Sequence, residues 1–227
     1  MNLLAIETST PYCSVAVRRG EQLHARHFEA GQKHAELSLD AIDGLLKDCG
    51  IGVAELDGVA FGAGPGSFTG LRIACGLVQG LSLARSLPVV GIVTLAALAD
   101  EIALASGGAR VVACLDARMG EVYLAAYELG ADALNEIVAP GVYRPEAVPQ
   151  VPGSGWVGGG SGFAAFPNIA ARYGEALSRV LPDATPTAAA VLRLAAPRFA
   201  RGETGNATDA VPVYLRDKVA LKTSERQ

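Results

Sequence analysis

Short apolar runs of strand length alternate with longer amphipathic stretches from the first residue onward. Residues 3–17 read as a strand, a polar turn and a returning strand, with Cys13, Val15 and Val17 alternating against smaller residues. Residues 112–126 repeat that layout, and setting Glu7 on Asp116 aligns Val122, Leu124 and Ala126 with Cys13, Val15 and Val17. Each copy is an apolar strand that ends in one carboxylate before a hairpin. The run from Val59 through Gly62, Gly64 and Gly66 to Phe68 has a looser echo from Val157 to Phe163. Two successions of hairpin, helix, strand, glycine loop and helix predict a duplicated α/β unit. The boundary falls at Gly107-Gly108, dividing the chain into a first half, 1–107, and a smaller second half, 108–227. A helix predicted over residues 187–202 would pack back on the first half, and residues 218–227 form a polar tail.

Two helices in the first half carry more apolar surface than one sheet needs. Over residues 32–49 the stripe Ala35, Leu39, Ile42, Leu46 and Cys49 is the expected core face, with Leu37, Ala41 and Leu45 as a second apolar flank. The helix over residues 68–86 has no charge between Arg72 and Arg85. Its Gly76, Gly80 and Ala84 recur every four residues, a spacing that lets another helix approach closely. Ile73 and Leu77 flank that seam. The surplus predicts a docking surface, to another copy or to a partner, unless the two helices cover each other and the sheet completely.

Four glycines in nine residues, Gly62 to Gly70, stand between an apolar strand and the second of these helices. Backbone N–H groups at such a helix start suit an anion or phosphate, and Gly64, Gly66 and Ser67 are the candidate contacts, joined by Glu7, Thr8, Ser9 and Asp116 at the hairpins. The spacing matches neither a P-loop nor a dinucleotide fingerprint, so a tight strand–helix turn without ligand fits the loop equally well.

Composition narrows the class. The 227 residues are half hydrophobic and 19% charged, as in an ordinary globular chain. A net charge of −4 gives no electrostatic footprint for nucleic acid; only Arg193, Arg198, Arg201, Arg216, Lys218 and Lys222 form a modest cluster. The four cysteines lie in apolar runs without metal-ligand spacing and read as reduced, buried thiols. The absence of a leader pattern and of a bilayer-length apolar run places the expected location in the cytoplasm, with no membrane contact. His24, His27 and His34 do not form a metal-binding pattern, His34 reading as solvated in the first turn of a helix, and no nucleophile elbow is present. Hence neither a metal nor a catalytic residue is expected.

Four strings together resemble the bacterial TsaB family, also called YeaZ: residues 4–10 (LAIETST) with Cys13-Ser14-Val15, residues 64–72 (GPGSFTGLR), residues 116–123 (DARMGEVY) and residues 212–219 (PVYLRDKV). The resemblance runs from Met1 to about Ala220. It implies an actin/Hsp70-like (ASKHA) fold of two RNase H-like halves, mixed sheets flanked by helices. It also implies a role in placing the threonylcarbamoyl group on N6 of adenosine 37 in tRNAs reading ANN codons. In that family the TsaB-like protein is the non-catalytic partner of a TsaD-like transferase, with a TsaE-like ATPase joining. Transfer RNA would then be met only through the complex, and the chain alone would form a homodimer. The paralogue's His-x-x-x-His pair is missing from residues 93–99 (VTLAALA), and the usual first Asp is Glu7. No cofactor is firmly implied, with weak ATP or ADP binding left open. The competing readings are an autonomous ATP-dependent phosphotransferase of the same fold and a metalloprotease-like protein.

Overall fold

The alternating residues at the N-terminus form a hairpin that opens a five-stranded sheet. In the computed structural model, which describes residues 1–130 and 134–216, β1 (Asn2–Glu7), β2 (Tyr12–Arg19) and β3 (Gln22–Glu29) are antiparallel neighbours. After α1 (His34–Asp48), strand β4 (Gly58–Gly64) runs parallel to β1, and after α2 (Phe68–Arg85), β5 (Val89–Val93) runs parallel to β4. The sheet order is β3-β2-β1-β4-β5. The helix α3 (Thr94–Ser106) then leads into β6 (Arg110–Arg118), β7 (Glu121–Leu129), β8 (Leu134–Tyr143) and β9 (Trp156–Gly159). Two short helices, α4 (Ser161–Ala165) and α5 (Asn168–Tyr173), precede β10 (Leu177–Leu181). The second sheet reads β8-β7-β6-β9-β10, which repeats the first. Two such mixed sheets are the two RNase H-like halves of an actin/Hsp70-like fold. The last helix is α6 (Ala188–Ala200), capped by the Thr187 hydroxyl.

Strand alternation divides the core into four layers. On the outer face of the first sheet, Leu4, Ile6, Val15, Val17, Val59 and Phe61 pack under α1 and α2. On its inner face, Leu3, Ala5, Ala16 and Ala60 pack under α6. In the second sheet, Val111, Ala113 and Leu115 face α3, whereas Val112, Cys114 and Leu124 face α4 and α5. Each fully buried Val, Leu or Phe in these layers contributes about 1.5–3 kcal/mol. Between the sheets, α3 and α6 are tied by Arg193, whose guanidinium reaches Asp100 at 2.6 Å and Glu101 at 2.5 Å. Thus α3, from the first half of the sequence, covers the second sheet, while α6 returns to cover the first.

The two hairpins are equivalent in topology but not in the face of their carboxylates. Cys13, Val15 and Val17 lie on the same face as their counterparts Val122, Leu124 and Ala126. Glu7, however, pairs with Ser14, whose hydroxyl accepts the Ala188 N–H on the inner side, whereas Asp116 pairs with outward Val122. Six residues separate the first pair and five the second (8–13 and 117–121), so one residue in the turn reverses the face. The alignment of Glu7 on Asp116 is therefore shifted by one. The Pro- and Gly-rich stretch 140–160 contains the end of edge strand β8 and all of β9. The polar tail, residues 218–227, lies outside the described residues.

Candidate functional site

Strand β4 runs straight into the glycine loop, and Ser67 caps α2 by accepting the Gly70 N–H at 3.3 Å. The β1–β2 turn fills this loop. Glu7 is fully buried, and its carboxylate accepts the Ser9 N–H at 2.6 Å and the Thr94 hydroxyl at 3.4 Å. Thr94, the first residue of α3, spends its oxygen on this network, accepting the Gly64 N–H at 3.2 Å. The Ser67 N–H donates to the Ser9 carbonyl at 2.7 Å, and the Thr8 hydroxyl donates to the Gly70 carbonyl at 2.8 Å. Any Cβ on Gly62 would strike the Glu7 carboxylate; on Gly66 it would strike Ser9, and on Gly70 the Thr8 carbonyl. The glycines thus admit the chain's own hairpin. Burial pushes the Glu7 carboxyl above its ordinary range, opposed by the hydrogen bonds from Ser9 and Thr94.

Of the residues expected at a phosphate, the structure brings together Glu7, Thr8, Ser9, Gly64, Gly66 and Ser67. Their arrangement differs from an anion cradle, because the amides of Gly64, Ser67 and Gly70 already have partners within the chain. Asp116 is not part of the cluster. It lies two residues before the end of β6, accepts the Arg118 N–H at 2.8 Å, and pairs with the Arg118 guanidinium at 3.2 Å, closing its own hairpin.

The segment that would bear a metal pair, residues 93–99, forms the start of α3. Leu95, Leu98 and Ala99 are fully buried there and carry no donor. Among the described residues, no three His, Cys, Asp or Glu side chains converge to hold a metal. His34 is buried rather than solvated, its Nε2 lying 3.1 Å from the Tyr12 carbonyl oxygen. All four cysteines are free and buried.

The two helices of the first half differ in what they leave open. In α1, Ala41 and Leu45, expected on a partner-facing flank, are core residues at 6% and 3% exposure, and Leu37 is half-buried. The true core face is His34, Ser38, Ala41, Ile42, Leu45, Leu46 and Cys49, so the expected stripe is out of phase and Ala35 and Leu39 point to solvent. Two polar residues hide the phase: the Ser38 hydroxyl donates to the His34 backbone carbonyl at 2.6 Å and the His34 ring meets the Tyr12 carbonyl, which makes both acceptable inside. In α2, Gly76, Gly80 and Ala84 are exposed, and a Cβ on either glycine would meet nothing within 4 Å. Ile73 and Leu77 are half-buried beside them, and Leu83 stands 73% exposed. Leu83 was missed in the sequence, although its spacing of three from Gly80 and seven from Gly76 puts it on their face.

The basic cluster is largely neutralised. Arg193 is held by Asp100 and Glu101, Arg201 pairs with Glu203 at 2.6 Å, and Arg216 pairs with Glu121. Arg198 donates to the Gly91 carbonyl at 2.9 Å, while Lys218 and Lys222 lie outside the described residues. No helix among the described residues is long and apolar enough to cross a membrane.

Comparison with known proteins agrees with this geometry. Residues 28–223 match the family model described as TsaD, tRNA N6-adenosine threonylcarbamoyltransferase. The tRNA threonylcarbamoyladenosine biosynthesis protein TsaB of Escherichia coli is 38% identical over 98% of this chain and 97% of its own length. The TsaB of Haemophilus influenzae is 35% identical over 98% and 96%. The solved structure of YeaZ from Pseudomonas aeruginosa superposes with a TM-score of 0.87 at 37% identity, covering 94% of this chain and 99% of that one. With near-complete coverage in both directions and the same fold, this chain belongs to the TsaB (YeaZ) family.

Proposed function

We propose that this chain acts in tRNA threonylcarbamoyladenosine biosynthesis as a non-catalytic subunit that seats and activates a TsaD-like catalytic paralogue, with a TsaE-like ATPase joining the complex. The observation that carries the proposal is the open face of α2: Gly76, Gly80, Leu83 and Ala84 form a small-residue and leucine surface on a helix without mid-helix charge. Such a face allows close helix–helix approach and gains from being covered. In the absence of the paralogue the same face would pair two copies of this chain. The reaction would be transfer of the threonylcarbamoyl group to N6 of adenosine 37 in tRNAs reading ANN codons, in the cytoplasm. The metal and the chemistry would come from the paralogue, because buried Leu95 and Ala99 supply no ligand where the paralogue's pair would stand.

The alternative, an autonomous ATP-dependent phosphotransferase, needs an anion at the glycine loop. The filled niches at Gly62, Gly66 and Gly70, and a buried carboxylate beside them, count against it. The experiment is transfer from threonylcarbamoyl-adenylate to tRNA by this chain alone, by the paralogue alone, and by both, alongside ATP and ADP titration of the isolated chain. Product only from the mixture, and no saturable nucleotide binding, is expected. Product from this chain alone that is lost with chelator would overturn the proposal.

A further inference from the structure

After α6 the chain leaves the first half. Residues 210–216 cross from α2, past the glycine loop, to the β6–β7 hairpin of the second half, making contacts all along. Ala210 is fully buried in the outer core, and its carbonyl accepts the Gln79 side-chain N–H at 2.9 Å. The Val213 N–H donates to the Ala63 carbonyl at 2.7 Å, and the Val213 carbonyl lies over the bare face of Gly64. Tyr214 stacks on Phe68 with centroids 5.6 Å apart, and its hydroxyl accepts from Arg72 Nε at 3.2 Å. The Arg72 guanidinium sits 3.7 Å from the centre of the same Phe68 ring.

Arg216 then grips the second half. Its Nη1 donates to the Ala117 carbonyl at 3.0 Å, its Nη2 to the Arg118 carbonyl at 3.4 Å, and it pairs with Glu121. The turn it grips holds two non-glycine residues in the left-handed region, Arg118 at φ +61° and Met119 at φ +56°. Such residues cost conformational energy and persist where surrounding contacts fix them. Beneath the crossing lies a cavity of about 50 Å³, lined from both halves by Pro65, Leu71, Tyr123 and Leu215, and large enough for water. The crossing segment itself is lightly packed: Val213 is 40% exposed and Tyr214 44%. It is therefore a tie made chiefly of directed polar and stacking contacts, a construction that opens at lower free energy than a packed core.

We infer that residues 210–216 form a latch coupling α2 to the second half, with Phe68 and Arg72 as its seat on the helix and Arg216 as its pin on the β6–β7 turn. Because Tyr214, which rests on the seat, and Arg216, the pin, are separated only by Leu215 and anchored at Val213 just before them, loosening one end frees the other. The latch belongs to the isolated chain, and its test involves no partner, so it stands or falls apart from the function proposed above.

The test is amide hydrogen exchange of the full chain as wild type, Arg216→Ala and Arg72→Ala. Losing charge-assisted hydrogen bonds at one end is expected to speed exchange about ten- to hundredfold at both ends. Arg216→Ala should do so at Val213 and in the first turn of α2 as well as at the turn 117–121. Arg72→Ala should do so at Val213 and at that distant turn. Strands β1 and β4 should be unchanged in both. Arg216→Lys, which keeps the charge for Glu121 but lacks the fork that reaches two carbonyls, should fall between wild type and alanine. Increases confined to the substituted end would overturn the latch. So would equal increases in β1 and β4, because the segment would then be part of the cooperative core.

Discussion

Gly80→Arg separates a docking face from a core face. A side chain on Gly80 meets nothing within 4 Å, so the folded monomer accommodates it in water. Arginine exceeds glycine in helix propensity by about 0.8 kcal/mol. For a chain of this size, that raises the thermal midpoint by about 2–3 °C. In a complex seated on α2 the same guanidinium would be buried without a counter-ion against a surface shaped for a glycine. An unpaired buried charge costs about 3–5 kcal/mol, which weakens association by about a hundred- to several-thousandfold. Thermal unfolding of wild type and variant, followed by size exclusion with the TsaD-like paralogue, reads both effects. A fall in the midpoint would show that the face is packed within the chain. A stable variant that still assembles at wild-type affinity would place the seat elsewhere.

Glu7→Gln tests the buried carboxyl. Its folded pKa is raised by burial, so the stability it contributes is fully present below the unfolded value of 4.5 and is lost as pH rises through the folded value. Chemical denaturation across that window should show the variant gaining on wild type as pH rises and matching it below pH 4.5. The opposite trend would mean that Ser9 and Thr94 outweigh desolvation. Transfer RNA should bind the isolated chain weakly, because the net charge is −4 and Arg193, Arg201 and Arg216 are already paired. A titration giving sub-micromolar, steeply salt-dependent affinity would contradict that account.

The duplicated architecture was legible because the central strands carry the strongest signal: β1, β4 and β6 are continuous apolar runs ending in turn residues. The edge strands were harder to see. Strand β8 contains Pro140 and is largely open to water, and β10 alternates only weakly, so neither carries a distinct apolar period. In α1 the buried positions include His34 and Ser38, whose polarity shifts the apparent stripe and led to the misplacement of Ala41 and Leu45. At the glycine loop the residues alone left an anion cradle and a ligand-free strand–helix turn equally open. Glycine-rich composition is the same whether backbone amides await an anion or a neighbouring carboxylate needs room, and the close approach of Glu7 to Gly62 is visible only in three dimensions. That Gly76, Gly80 and Ala84 share one open face of α2 was readable from their spacing of four.

A photo-reactive amino acid at Leu83 tests the central claim most directly. Leu83 is 73% exposed on the α2 face, and Ile137, at 38% exposure on edge strand β8 of the other half, provides the control position. In the presence of the TsaD-like paralogue, irradiation should give an intermolecular cross-link from position 83 in high yield and none from position 137. A cross-link from position 137 with none from position 83 would contradict the account.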